Sequence, residues 1–300
     1  MKTIKDFCIN YYKKIDFLDL ELIIASVLKK PREFVLAHPD YKISATHNSR
    51  LKTLIKRRRR HEPLAYILGR KEFYSLDFKV NKNVLIPRPE TELLVDLVLK
   101  ELKKNKLQVA GYGLQNIIID VGTGSGNIII SLAYNMKHGT YNNINFYGTD
   151  ISQKALLVAK YNAKKHKVDK HIYFFKSDLL KNKKLINNLT MQQCNNLIVL
   201  ANLPYLSKEI YSPALKSVRK YEPKSALFSP QNGLGYYAKL LKQLNKLKNE
   251  CSMLHVTCFM EISHEQKLKI SKLIKSCFPA SKIKFHKDLA SKWRVCEVII

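Results

Sequence analysis

Apolar positions recur at helical spacing in the first part of the chain and as short unbroken runs in the rest. Phe17-Leu-Asp-Leu-Glu-Leu-Ile-Ile-Ala-Ser-Val-Leu-Lys29 sets apolar side chains three and four apart, the period of a helix with one buried face, and Pro31 ends or restarts it. The helical period returns from about Ser44 to Arg60. Glu72 to Val80 reads as a strand. After Asn81-Lys-Asn83, the run Val84-Leu-Ile-Pro-Arg-Pro89 is held extended by its prolines, so that a hairpin linker over 72–90 is expected before a helical pattern resumes at Thr91 to Lys104.

From Asn116 the pattern changes to strands alternating with helices. Strands are expected at 116–121, 144–149, 171–176, 196–201, 253–261, 281–286 and 293–300, and helices at about 127–136, 152–166, 235–249 and 264–277. Such alternation builds a mostly parallel, doubly wound α/β sheet of seven strands. The polar, Asn-rich stretch Lys181 to Asn196 is expected to be a loop or insertion. The organisation that follows is a helical bundle over 1–71, the linker over 72–90 and an α/β domain over 91–300.

Composition narrows the class. Three hundred residues, 46% hydrophobic and 26% charged, describe a globular protein with room for two domains. No stretch approaches the roughly 18 apolar residues of a membrane span. Lys5 and Asp6 fall where a signal peptide would be apolar, so a cytoplasmic protein with no membrane partner is expected. Six cysteines form no CxxC pair, and His61, His255 and His264 show no ligand spacing, so no metal site is expected. The formal charge of +29 points to a polyanion. Only ten of the 53 basic residues are Arg, however, and Asn is abundant, a bias that AT-rich coding produces unaided; nucleic-acid contact is therefore a secondary expectation.

Ile117-Ile-Ile-Asp-Val-Gly-Thr-Gly-Ser-Gly126 is a buried strand that enters a glycine-rich turn and then a helix, where a ligand can lie against bare backbone. The next strand ends in Asp150, whose carboxylate can accept both hydroxyls of a ribose. The glycines alternate and Asp120 precedes them by two residues. This departs from the GxGxxG of dinucleotide sites and resembles class I S-adenosylmethionine-dependent methyltransferases. In that fold Asp178, in Ser177-Asp-Leu179, takes the position that contacts the adenine amino group.

The fourth strand of the alternating region ends in Ala201-Asn-Leu-Pro-Tyr205, which resembles the (Asp/Asn/Ser)-Pro-Pro-(Tyr/Phe) motif of enzymes that methylate nitrogen conjugated to a planar group. Such a nitrogen has a delocalised lone pair and is a poor nucleophile. The Asn202 side-chain oxygen and the Leu203 carbonyl can each accept one of its N–H bonds and turn the lone pair toward the methyl, while Tyr205 can stack on the planar group. Leu203 stands where the motif has its first proline, so a fixed φ is given up.

Over residues 57 to 300 the chain resembles the release-factor glutamine methyltransferase family, HemK or PrmC. Beyond the two motifs, the likeness rests on Arg59-Arg-His-Glu-Pro-Leu-Ala-Tyr-Ile-Leu-Gly69, Glu72-Phe-Tyr74, Leu85-Ile-Pro-Arg-Pro-Glu-Thr-Glu92, Tyr221-Glu-Pro-Lys-Ser-Ala-Leu227 and Gly233-Leu234. The resemblance implies N5-methylation of the glutamine in the Gly-Gly-Gln motif of peptide chain release factors, with S-adenosyl-L-methionine as cofactor and S-adenosyl-L-homocysteine as product. It implies catalysis by Asn202, Leu203, Pro204 and Tyr205. Cofactor contacts would come from Asp120, Gly122, Thr123, Gly124, Ser125, Gly126, Asp150, Asp178, Leu179 and Asn202. The amino-terminal bundle would help hold the protein substrate, and a monomer is the default. Two alternatives stay open: an adenine-N6 or cytosine-N4 nucleic-acid methyltransferase, and a non-catalytic protein that docks on release factors.

Overall fold

A computed structural model describes residues 2–104, 115–136, 144–191, 194–212, 216–251 and 254–300, and divides the chain into two compact units. The first reaches Arg70 and takes in Lys216–Tyr221; the second runs from Lys71, apart from that excursion, to Ile300.

The first unit is helical: α1 (Ile4–Tyr11), α2 (Phe17–Leu28), α3 (Arg32–Ala37), α4 (Ala45–Arg59) and α5 (Leu64–Leu68). Thr3 and Asp6 close a reciprocal capping box on α1, and Asp16 and Ser44 cap α2 and α4, which supplies the first-turn N–H groups with acceptors. Phe7, Leu20, Ile23, Ile24, Leu51 and Ile55 interlock as its core. The Arg57–Arg60 run is partly spent on structure. Arg57 pairs with Glu62 at 2.6 Å and Arg58 with Asp19 at 2.5 Å, while the Arg60 carbonyl accepts the Tyr221 hydroxyl at 2.8 Å.

The second unit opens with a hairpin, β1 (Arg70–Phe73) and β2 (Leu76–Lys79). It turns inside the segment expected to be one strand, and 84–89 forms no strand. Tyr74 and Ser75 occupy the turn at φ 51° and 59°. Asn-Gly would signal such a turn; here contacts with α6 (Glu92–Lys104) hold it, as Glu92 accepts the Tyr74 N–H and Asp96 its hydroxyl, both at 2.8 Å.

Next come β3 (Gln115–Val121), α7 (Asn127–Met136), β4 (Ile144–Asp150), α8 (Gln153–Lys165), β5 (Ile172–Lys176), α9 (Lys183–Met191), β6 (Cys194–Ala201), α10 (Lys208–Tyr211) and α11 (Lys216–Tyr221). The chain ends with α12 (Gly235–Glu250), β7 (His255–Glu261), α13 (Lys267–Cys277), β8 (Lys282–Lys287) and β9 (Trp293–Ile299). Helix α9 corrects the loop expected at 181–196: Asn182 caps it, accepting the Leu185 N–H at 3.1 Å, and Leu185 and Leu189 bury one face that the surrounding Lys and Asn residues mask in the sequence. The expected start of a strand at 253 lies outside the described residues, as do 192–193.

Seven strands form one sheet in the order β5-β4-β3-β6-β7-β9-β8, with β9 antiparallel to both its neighbours and the other pairings parallel. Ile117, Ile119 and Val121 face the cluster that holds α9, α12 and α13; Ile118 faces the one that holds α6 and α7. Burial on both faces explains why β3 reads as a continuous apolar run. The order reverses at β3, which pairs with β4 on one side and β6 on the other, and the crevice at the carboxyl ends of β3 and β6 is where ligands of open α/β sheets bind.

Asn162 of α8 fastens hairpin, helix and crevice together. Fully buried, it accepts the Lys79 N–H at 2.8 Å and donates to the carbonyls of Lys79 at 3.0 Å and Ser125 at 2.9 Å. Asn162→Ala takes the partner from three main-chain groups, of which the Ser125 carbonyl bond is buried and the two Lys79 bonds partly so, and should lower unfolding stability by about 2 kcal/mol, measured as a shift in urea midpoint at constant m-value.

Candidate active site

Strand register brings the chemically interesting residues onto one line. Val121 pairs with Thr149 on β4 and Ala201 on β6, and Ala201 pairs with Met260 on β7. The next residue of each strand is therefore level with the others: Gly122, Asp150, Asn202 and Glu261. A cavity of about 350 Å³ opens beside this row, within the range of small-molecule sites.

One wall is the glycine turn. Gly122 and Thr123 both donate main-chain N–H groups to the Thr149 carbonyl at 2.8 Å. Gly124 lies at φ 55°, and a Cβ there would meet nothing nearer than the Gly122 carbonyl at 3.9 Å, so a side chain would stand in the space a ligand needs. Gly126 has a different constraint. A Cβ on it would come within 2.6 Å of Ile130 and 3.2 Å of Ala159, so this glycine permits α7 and α8 to pack and does not line the cavity.

Asp150 lines the cavity, with Oδ2 accepting the Gly124 N–H at 3.0 Å and Oδ1 the Ser152 N–H at 2.8 Å. Burial pushes its carboxyl up against the pull of these donors. Each oxygen keeps a further lone pair for a ligand hydroxyl. Ser152, not Asp150, caps α8. Thr123, Ser125, Asp178, Leu179, Asn202, Leu203 and Pro204 also line the cavity. Asp178 is already paired with Lys239 of α12, an ion pair the sequence did not signal. Leu179, at φ 58°, is nearly buried. The Leu203 side chain packs into the core against Gly122.

Asp120 and Tyr205 stand off the cavity. Asp120 is fully buried and accepts the Thr123 hydroxyl at 2.6 Å, so it braces the turn from beneath. Burial pushes its carboxyl up to about 7 against that hydrogen bond, and the nearby Asp150 charge adds to the rise. The Tyr205 ring packs on the core, and its hydroxyl donates to Glu261 Oε1 at 3.1 Å.

Thr91, Glu222 and Glu261 were not singled out from the sequence as site residues. Thr91 lines the cavity and joins Asn202 to the buried Glu261. The segment 82–88 forms a further wall, held by Glu222, which accepts the Ile86 N–H at 3.2 Å and the Arg88 guanidinium at 2.5 Å. A carboxylate ending the apolar run of β7 was the available signal for Glu261.

Two family descriptions match the chain: PrmC N-terminal domain over residues 11–69, and methyltransferase domain over residues 115–276. The release factor glutamine methyltransferase of Clostridium botulinum is 34% identical over 93% of this chain and 90% of its own. That of Dictyoglomus turgidum is 34% identical over 94% and 91%. Among solved structures, the hMettl16 catalytic domain in complex with a MAT2A 3′UTR hairpin superposes with a TM-score of 0.53 at 14% identity, over 85% of this chain and 81% of that one, a likeness of fold alone. Among the described residues no helix is long and apolar enough to cross a membrane.

The Asp120 carboxyl generates a pH-dependent prediction. As pH rises from 3.8 toward about 7, the unfolded chain gives up a proton that the folded chain retains at this carboxyl, so stability falls across that interval and levels off above it. Asp120→Asn should remove this contribution. Urea unfolding at about pH 4.5 and about pH 7.5 should show the variant gaining on the wild type as pH rises.

Proposed function

The chain belongs to the release factor glutamine methyltransferase family and is an S-adenosylmethionine-dependent methyltransferase; we propose that its acceptor is the side-chain amide nitrogen of the glutamine in the Gly-Gly-Gln motif of a peptide chain release factor. The observation that carries this reading is the side-by-side placement of the glycine turn and Asn202 by the register Val121 to Ala201. On this reading the glycine turn cradles the cofactor, and Asn202 and Leu203 accept from the amide, at one cavity.

The residues present fit the cofactor. Gly124 leaves bare backbone, and Asp150 presents a carboxylate with spare lone pairs for ribose hydroxyls. Leu179 offers an apolar edge, with Asp178 beside it for the adenine amino group and Lys239 as a competitor for that carboxylate. Thr123 and Ser125 complete the turn, and Asp120 supports it. When bound, S-adenosylmethionine supplies an electrophilic methyl on a positively charged sulfur and leaves as S-adenosylhomocysteine.

The chain itself has to orient a weak nucleophile. Asn202 Oδ1 and the Leu203 carbonyl accept the two N–H bonds of the substrate amide, which turns its lone pair out of conjugation and toward the methyl; the surplus proton passes to water. Pro204 fixes the chain after Leu203, and Tyr205, packed on the core and bonded to Glu261, anchors the end of the motif from behind the cavity. Positioning two bound reactants can contribute about 7–11 kcal/mol of the barrier reduction. The helical unit holds the release factor. Ile9, Tyr12, Phe17 and Leu18, all exposed large apolar side chains on or beside α1 and α2, suit a protein partner.

The test is to incubate an intact release factor with the protein and S-adenosylmethionine and to weigh the Gly-Gly-Gln peptide by mass spectrometry, with a Gln→Ala factor as control. One added methyl on the wild-type peptide alone is expected. No methyl on the factor, with transfer to adenine or cytosine in nucleic acid, would overturn the reading. Asn202→Ala should slow transfer by about 10²- to 10³-fold, on the scale of losing one oxyanion-hole donor, while cofactor affinity falls much less.

A further inference from the structure

A side-chain amide can serve as an acceptor in only one of its two orientations. Rotation by 180° exchanges oxygen for NH₂ in nearly the same volume, and the wrong choice would point donors at the donors of a substrate amide. The choice for Asn202 is made by a short polarised chain of hydrogen bonds. Asn202 Nδ2 donates to Thr91 Oγ1 at 3.0 Å, and the single hydroxyl proton of Thr91 goes to Glu261 Oε2 at 2.7 Å. With its proton committed to a carboxylate, Thr91 can only accept from Asn202. The other Glu261 oxygen accepts the Tyr205 hydroxyl at 3.1 Å. One carboxylate thus sets the direction of hydrogen bonds at both ends of Asn202-Leu203-Pro204-Tyr205.

The setting is rigid. Thr91 and Glu261 are each 1% exposed. The Glu261 main-chain carbonyl accepts the Tyr237 hydroxyl, and Gln266 donates to the Tyr205 carbonyl at 3.0 Å. A buried carboxylate adds little to stability compared with an apolar residue of similar size, so its position level with Asn202 calls for another account.

We propose that Thr91 and Glu261 are positioning residues that fix Asn202 with its oxygen toward the acceptor amide and hold Tyr205 in register with it. The proposal rests on the reading of Asn202 as the substrate's acceptor. Neither residue touches the reacting atoms. Thr91→Val keeps the shape and removes the hydroxyl, Thr91→Ser keeps the hydroxyl, and Glu261→Gln replaces one acceptor oxygen by a donor, which forces one of the two attached chains to reverse.

The experiment is steady-state methylation of an intact release factor, with S-adenosylmethionine affinity measured separately by calorimetry. Thr91→Val is expected to lower kcat by about 10- to 100-fold, the scale of a small misplacement at a reacting group, with cofactor Kd and the KM for the factor within about twofold of wild type. Thr91→Ser should recover kcat to within about threefold, and in an Asn202→Ala background Thr91→Val should cost less than about twofold, since residues of one network are not additive. A wild-type kcat in Thr91→Val, or an equal fall in both backgrounds, would overturn the proposal. If the wild-type chain methylates no release factor, the functional reading fails by itself. The network is then judged in the free protein by NMR of the Asn202 side-chain amide. Proton exchange should quicken by at least about tenfold in Thr91→Val, the scale of losing about 1.4 kcal/mol of protection, and equal rates would refute it.

Discussion

The parallel pairing of β3 with β6 is the constraint on which the rest of the site depends. Two strands far apart in the chain run side by side because the sheet reverses order between them, and their register aligns Val121 with Ala201. Beyond that pair the ladder ends and main-chain groups are free to bend into loops. One loop bends through glycine and exposes backbone; the other bends through Asn202 and Leu203 and exposes acceptors. A slip of one residue would turn Asn202 to the opposite face of the sheet, so the burial of Val199 and Ala201 in the core also fixes the chemistry.

Polar groups buried behind the cavity carry the positioning. Asn162 joins the Ser125 carbonyl to the hairpin, Asp120 holds the Thr123 hydroxyl, Glu222 holds 86–88, and Glu261 reaches Thr91 and Tyr205. Each has hydrogen bonds to offset its loss of water, although Asp120 Oδ1 has no hydrogen-bond partner among the described residues. That oxygen fits the upward push on its carboxyl, since a proton makes burial cheaper. Hydrogen-bonded polar groups of this kind favour one arrangement of a site over its neighbours.

The fold was largely legible because the signals that carry it are local. Unbroken apolar runs marked β3 and β6, helical periods marked α7 and α8, and the glycine turn followed a strand as a ligand-binding turn must. What escaped depended on tertiary contacts. The hairpin turn at Tyr74-Ser75 lacks the Gly or Asn that its positive φ angles favour and is held by Glu92 and Asp96 from α6. Helix α9 shows two buried leucines among Lys and Asn. Thr91 and Glu261 lie 170 residues apart, and no spacing rule could join them. Asp120 and Tyr205 were singled out from sequence, but their placement off the cavity follows from the direction their strand and loop impose.

The central claim concerns where an acceptor amide meets the chain. The most direct measurement is a crystal structure of the protein with S-adenosylhomocysteine and a Gly-Gly-Gln peptide. The account predicts the glutamine nitrogen within hydrogen-bond distance of both Asn202 Oδ1 and the Leu203 carbonyl, with Asn202 Nδ2 still on Thr91. A glutamine bound away from Asn202, or an Asn202 that presents its nitrogen to the peptide, would contradict it.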